Sequence, residues 1–404
     1  MTPRVIVYML CSLCLLMDGF DVQAMGYVAP ALTQEWKIPP AALGSVFGAA
    51  PFGVLFGSIL FSMLADRVGR RPVLIGLTFY FAVMTLLTAR AATVEQLLVI
   101  RFLAGLGLGG IMPNALALVS EYSSLGSRVL MMMVVGNFFN VGAAIGGFVA
   151  AWVIPAFGWR AVFYGGGAIP LLGAAMMVFS LPESPPFLTG ARRAGVPILH
   201  LFREGRGWGT LALWVINFMN LLNLYFLSNW LPTLVRDSGR AAQTAVLLGA
   251  VLQLAGTVGT LALGWITRRA GIAPTLAVGF ACGSASIAMI GQPGLSLMLL
   301  SCAVAMAGIG VIGGQGGVNA MAATFYPTEL RSTGVGAGLG VGRIGAIVGP
   351  VIAGQLLALQ WRQDQLFLAA AVPALISALV MFAMRRYFTA DSPTLNSTSV
   401  PHGS

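Results

Sequence analysis

The chain has 404 residues, 58% of them hydrophobic and only 8% charged. A soluble domain carries about 25% charged residues, so this composition excludes a water-covered globule and points to a polytopic membrane protein. The net charge of +10 does not indicate a nucleic-acid binder, because the arginines are dispersed between apolar runs instead of gathered on one face.

Crossing a bilayer takes a helix of about 20 apolar residues. In chain order the predicted spans are 5–32, 42–64, 73–93, 96–120, 129–152, 160–181, 209–234, 243–266, 274–291, 295–325, 333–358 and 364–385. The expected fold class is therefore an all-α integral membrane protein with twelve transmembrane helices. Arg4 followed by an apolar run resembles a signal peptide, but the run continues to Leu32 without a small-residue cleavage site. It reads as a retained first span.

That span carries Asp18 and Asp21 within MDGFDVQAMGYVAPAL. Three residues apart, they rise about 4.5 Å and sit about 60° apart around the helix, so they share a face. A charge at the bilayer centre costs about 2.5–3.5 kcal/mol on the insertion scale. Such acids need a partner or a water-filled cavity. They either brace the bundle through caps and salt bridges or carry a coupling proton. Cys11 and Cys14 have redox-motif spacing but no βαβ context, and read as packing residues. No metal cluster, cofactor motif or nucleophile–base pair is visible in the sequence, so no cofactor and no enzymatic activity are expected.

Between spans two and three runs S62-M-L-A-D-R-V-G-R-R71. Span four holds Arg101 in its first third and a GLGLGG run (105–110). That run imitates a dinucleotide fingerprint but has no preceding strand, so close helix packing is the better account. Glu121 and Arg128 flank the junction of spans four and five, and Glu329 and Arg331 flank that of ten and eleven. With Asp66, Arg67, Gly69, Arg70 and Arg71 they form an expected gate, in which only a network would matter, since exposed pairs are each worth about 0–1 kcal/mol.

Midspan amides are Asn137 and Asn140 in span five, Asn220 and Asn223 in span seven, Gln253 in span eight and Gln315 in span ten. Amides supply donors and acceptors suited to ring hydroxyls. Phe20, Tyr27, Tyr225 and Trp230 are suited to stack on an aromatic ring, or serve as ordinary packing. Arg343 lies near the middle of span eleven. Its charge is permanent and its fork matches a carboxylate, so it is expected to bind an anion or to pair with an aspartate.

With the N-terminus inside, the cytoplasmic segments hold 14 arginines against 6 basic residues outside, which puts both termini in the cytoplasm. The expected organisation is a six-helix bundle (1–181), a cytoplasmic linker (182–208), a second six-helix bundle (209–386) and a disordered tail (387–404). The halves repeat. At an offset of 202, Asp18 meets Asn220, Asp21 meets Asn223, Arg67 meets Arg269 and Gly69 meets Gly271. Further on the offset is 203: Arg128 meets Arg331, Asn140 meets Arg343 and Gly146 meets Gly349. Two parallel six-helix repeats with a ligand site between them describe a transporter architecture.

The loop from Ser62 to Arg71 resembles the signature G-x-x-x-D-R-x-G-R-R/K of the major facilitator superfamily, departing at Ser62. The D-G-F-D stretch, the RFLAGLGLGGIMPNALALVSE run from Arg101 and the ELRSTGVGAGLGVGRIGAIVGP run from Glu329 resemble its aromatic acid:proton symporters. The second loop copy carries Arg268 where an acid is usual, and PESPPF (182–187) resembles the sugar-porter P-E-S-P-R with Pro186 for the arginine. The resemblance implies the major facilitator fold in a bacterial inner membrane. It also implies import of a small aromatic carboxylate with protons, by a monomer bathed in lipid and without nucleic acid. The alternatives are transport of another organic acid, a sugar or a drug, or a membrane receptor. Span five reads GAAIGG (142–147) without the Gly-Pro of drug antiporters.

Overall fold

The computed structural model describes residues 2–124, 126–184, 198–327 and 330–387. Within them lie twelve helices long and apolar enough to cross a membrane. They are α1 (Pro3–Trp36), α2 (Pro40–Val68), α3 (Arg70–Thr88), α4 (Val94–Tyr122), α5 (Arg128–Phe157) and α6 (Trp159–Ser180) in the first half. The second half has α7 (Gly207–Asp237), α8 (Ala242–Ala270), α9 (Ile272–Ile290), α10 (Leu297–Phe325), α11 (Arg331–Ala358) and α12 (Gln363–Ala383). A π turn, Ile309–Gly313, interrupts α10. A short 3-10 turn, Ile198–Phe202, precedes α7. Residues 185–197 of the predicted linker, and the tail beyond Tyr387, lie outside the described residues.

Every predicted span is a helix, but most helices outrun the apolar run that announced them. Polarity marks where lipid ends, whereas a helix continues until a cap or glycine stops it. Gly69 alone joins α2 to α3, and Gly271 alone joins α8 to α9, at φ 103° and 82°. That left-handed backbone, open to glycine, reverses the chain within one residue.

Glycines also set the helix crossings. Gly142 of α5 lies against the Leu16 carbonyl of α1, and Gly345 of α11 against the Phe218 carbonyl of α7. A Cβ at either would occupy the space of the carbonyl oxygen. Leu16 and Phe218 are repeat mates, as are Gly142 and Gly345, so the duplicated sequence is a duplicated crossing.

We term the face where α1 begins the near face and its opposite the far face. On the far side one apolar core draws on both halves, from Tyr27, Phe47 and Trp159 to Trp230, Leu248 and Phe367. On the near side the cores are separate: one uses residues 7–181 and the other residues 201–384. The far-face seal is close packed. Gly44 of α2 abuts the Pro350 carbonyl and Gly354 of α11, Gly147 of α5 abuts Ala250 of α8, and Gly26 of α1 abuts the Ser228 carbonyl of α7. Trp230 meets Phe47 edge-on at 5.2 Å. Arg236 of α7 donates to the Pro30 carbonyl of α1. The halves thus share one apolar core at the far face and pack around separate cores at the near face.

Candidate functional site

Asp21 is fully buried and holds a buried guanidinium. Arg101 Nη1 stands 3.0 Å from its Oδ2 and 3.3 Å from its Oδ1, and the Thr85 hydroxyl donates to Oδ1 at 2.8 Å. Arg101 is 1% exposed and Asp21 0%. Three helices, α1, α3 and α4, are thereby tied through one carboxylate, as a buried charge requires. Asp18, one turn away and 4% exposed, makes no hydrogen bond or ion pair with any described residue. The charges acting on it are Arg343 of the other half and Asp21.

Arg343 is half-buried and forms no ion pair with the described residues. Its Nη1 donates to the Tyr225 hydroxyl at 3.3 Å. Tyr225 and Arg101 both line a small cavity with Phe47, Pro51 and Asn229. Two acids of the first half therefore have opposite fates: Asp21 is ion-paired, whereas Asp18, like Arg343 of the other half, has no ion pair among the described residues.

The repeat mates of the Asp21 network are all uncharged. Asn223 replaces Asp21 and Ile287 replaces Thr85 at the 202 offset, and Val304 replaces Arg101 at 203. Asn223 is completely buried, and neither its Oδ1 nor its Nδ2 finds a partner among the described residues. Asn220, by contrast, donates to the Val311 carbonyl in the π turn at 3.0 Å and to Gln315 Oε1 at 2.8 Å. Gln315 donates in turn to Asn217 (3.0 Å) and Asn319 (3.2 Å). Asn217 and Asn319 were missed in the sequence, although Asn217, Asn220 and Asn223 recur every third residue.

Other predicted positions fall into two groups. Asn137 and Asn140 are half-exposed and bonded to each other at 3.3 Å on α5. Tyr27, Trp230, Phe20 and Gln253 are engaged in helix packing. The Tyr27 hydroxyl donates to the Ala143 carbonyl, Trp230 Nε1 to the Pro350 carbonyl, and Gln253 to the Ser228 hydroxyl. The Phe20 ring fills the niche left by Gly146 and Gly166. Of the four aromatic candidates, Tyr225 is the one whose polar atom reaches Arg343.

At the near face, Arg70 pairs with Glu121 at 2.8 Å and, more loosely, with Asp66 at 3.7 Å. Arg71 donates to the Val178 carbonyl. Arg67 and Arg331 are exposed, and Arg128 has an unpartnered Nε. Glu329 lies outside the described residues. The organising acid is one not expected from the sequence. Glu183 Oε1 accepts from the backbone N–H of Arg70 (3.0 Å), Arg71 (3.2 Å) and Ser184 (2.8 Å). It caps α3, whose own N-cap residue, Gly69, has no side chain to do so. Its signal was the acid of PESPPF, immediately after span six.

Residues 11–350 match the Major Facilitator Superfamily. The 4-hydroxybenzoate transporter PcaK of Pseudomonas aeruginosa is 38% identical over 92% of this chain and 90% of its own length. The gallate transporter of Pseudomonas putida is 37% identical over 94% and 91%. The 3-(3-hydroxy-phenyl)propionate transporter of Escherichia coli is 34% identical over 93% and 92%. Among solved structures, an inward-facing, occupied bacterial homolog of the human lysosomal transporter Spinster superposes with TM-score 0.81 at 18% identity, covering 96% of this chain and 98% of that one. A D-xylose-proton symporter superposes at 0.75 and 15% identity, covering 94% and 98%. Twelve apolar helices in two repeated bundles, free charges between them and relatives of nearly equal length agree: the chain is an integral membrane protein of the Major Facilitator Superfamily, a transporter of its aromatic-acid group and not an enzyme.

Proposed function

We propose that the protein imports a small aromatic carboxylate, of the hydroxybenzoate or hydroxyphenylpropionate kind, together with protons by alternating access. The observation that carries this reading is the unpaired Arg343 beside the Tyr225 hydroxyl, facing the unpaired Asp18 of the other half. An arginine with a free fork between two bundles is a carboxylate receptor. An acid without a partner beside it is suited to take up and release the coupling proton. The named substrates of the relatives support an aromatic acid.

The near face is the cytoplasmic one on this reading, with both termini inside a bacterial inner membrane and the monomer as the working unit. The domain borders are those given above, at 181, 208 and 386. Moving an anion into a cell held at −100 mV costs about 2.3 kcal/mol, which one co-transported proton cancels. Proton binding at Asp18 and anion binding at Arg343 each tighten the other by linkage. The test is counterflow in proteoliposomes with labelled 4-hydroxybenzoate, a dicarboxylate and a hexose. Exchange of the aromatic acid alone is expected, lost in Arg343→Gln and uncoupled from the pH gradient in Asp18→Asn. Equal exchange of the hexose, or wild-type uptake by Arg343→Gln, refutes the reading.

A further inference from the structure

At two near-face places the first half has an acid where the second half has an arginine. The offset of 202 lays Asp66 on Arg268, and the later offset of 203 lays Glu183 on Arg386, whereas Arg67 keeps its sign in Arg269. In the first half the acids are engaged internally, since Glu121 and Asp66 pair with Arg70 and Glu183 caps α3. In the second half Arg268, Arg269 and Arg385 are exposed, and none pairs with an acid among the described residues.

Two of them lie instead over exposed aromatic rings. The Arg269 guanidinium is 4.3 Å from the centre of the Trp265 ring, and that of Arg385 is 4.1 Å from the Phe382 ring. Each ring ends a column of exposed apolar side chains. On α8 the column is Trp265, Leu261, Val258 and Leu254; on α12 it is Phe382, Leu379, Leu375 and Val372. The steps of three and four residues keep each column on one helix face. In a membrane protein such a column lies against acyl chains, and an aromatic ring with arginine at its end lies at headgroup depth. The columns flank α9, which begins one residue after α8 and whose Ala273 shares an apolar cluster with Met384 beside Arg385.

We propose that the near-face edge of the second half, at Arg268, Arg269 and Arg385, binds the phosphate headgroups of anionic phospholipids. The guanidinium fork meets two phosphate oxygens, the ring strips water from its other side, and the apolar column holds the chains. A soluble phosphate would use the arginines but leave the columns idle. The first half takes up such lipids less, because Asp66 and Glu183 stand where the second half has arginine.

Trp265 is a built-in reporter. The full-length protein is reconstituted in vesicles with brominated phosphatidylglycerol or, at the same mole fraction, brominated phosphatidylcholine. The quenching of Trp265 is the difference between wild type and Trp265→Phe. A basic residue near the headgroups enriches an anionic lipid about fivefold. Several-fold stronger quenching by the anionic lipid is therefore expected, falling toward equality in Arg268→Gln/Arg269→Gln and unchanged in Arg67→Gln. Trp152, 71% exposed at the far end of α5, is expected to show no preference. Equal quenching of Trp265 by the two lipids in wild type overturns the proposal. So does loss of the preference in inorganic phosphate but not in chloride of equal ionic strength, which would assign the site to a soluble anion.

Discussion

The second half of the protein shows how the first half would look without its buried ion pair, and this makes the pair's worth measurable. Arg101→Val gives α4 the residue that α10 has in Val304. Alone, it leaves the Asp21 carboxylate fully buried with the Thr85 hydroxyl as its remaining partner. Stranding one member of a buried pair costs about 3–5 kcal/mol. Adding Asp21→Asn removes the stranded charge and leaves an amide in the situation of Asn223, a buried polar group whose missing bonds cost about 1–3 kcal/mol. The double variant should therefore be about 2 kcal/mol more stable than Arg101→Val alone. The assay is reversible unfolding in mixed micelles by denaturing detergent, followed by circular dichroism. A double variant less stable than Arg101→Val, near the sum of the two single losses, would refute this ledger. Transport separates structure from coupling: a folded double variant that still concentrates substrate down a pH gradient would show the pair to be a brace.

Asn220→Leu should lower the unfolding midpoint, because it leaves the Val311 carbonyl and Gln315 Oε1 without their donor, whereas Asn223→Leu should raise it by relieving a buried, unpartnered amide. Midpoints shifting in the same direction would contradict the assignment. Glu183→Ala removes the cap of α3, a loss of about 0.5–2 kcal/mol, and should speed tryptic cleavage at Arg67–Arg71 relative to cleavage at Arg268 and Arg269. Gly44→Val places a Cβ 2.8 Å from the Pro350 carbonyl and 3.1 Å from Gly354 Cα, so it should spread the far face. A cysteine in place of the buried Phe47 should then react several-fold faster with an impermeant maleimide; unchanged labelling would mean that the far-face seal does not depend on this contact.

The spans, the repeat and the family were legible because lipid imposes a coarse rule, about 20 apolar residues per crossing, and duplication repeats its landmarks. That buried acids in span one need a partner or water followed from the cost of a charge in lipid, but which arginine would meet Asp21 did not. What remained hidden depends on rotation about the helix axis. Tyr27 and Trp230 look like pocket residues in sequence, yet their polar atoms bond backbone carbonyls within the packed helices. Glu183 lay in a stretch read for its prolines, and its role depends on where α3 begins in space. Asn217 stood in plain periodicity with Asn220 and Asn223 but needed Gln315 as a neighbour to acquire meaning.

That neighbour is supplied by the π turn. Thr93 and Ser296 cap α4 and α10 in the same way, each accepting from the N–H three residues on, and both helices run 29 residues. Their ends are in step, so the residue that shifts the repeat offset falls in the loop before Ser296, where Gly294 takes φ 76°. Inside α10, however, a turn closed by i→i+5 bonds absorbs one residue more than an α turn, equivalent to about 100° of rotation. The two repeats thus agree in residue count along this helix and differ in azimuth beyond Gly313. Gln315 is aimed at Asn217 and Asn220 of α7 from just beyond that turn, and an α10 regularised at Ile309–Gly313 would point it elsewhere.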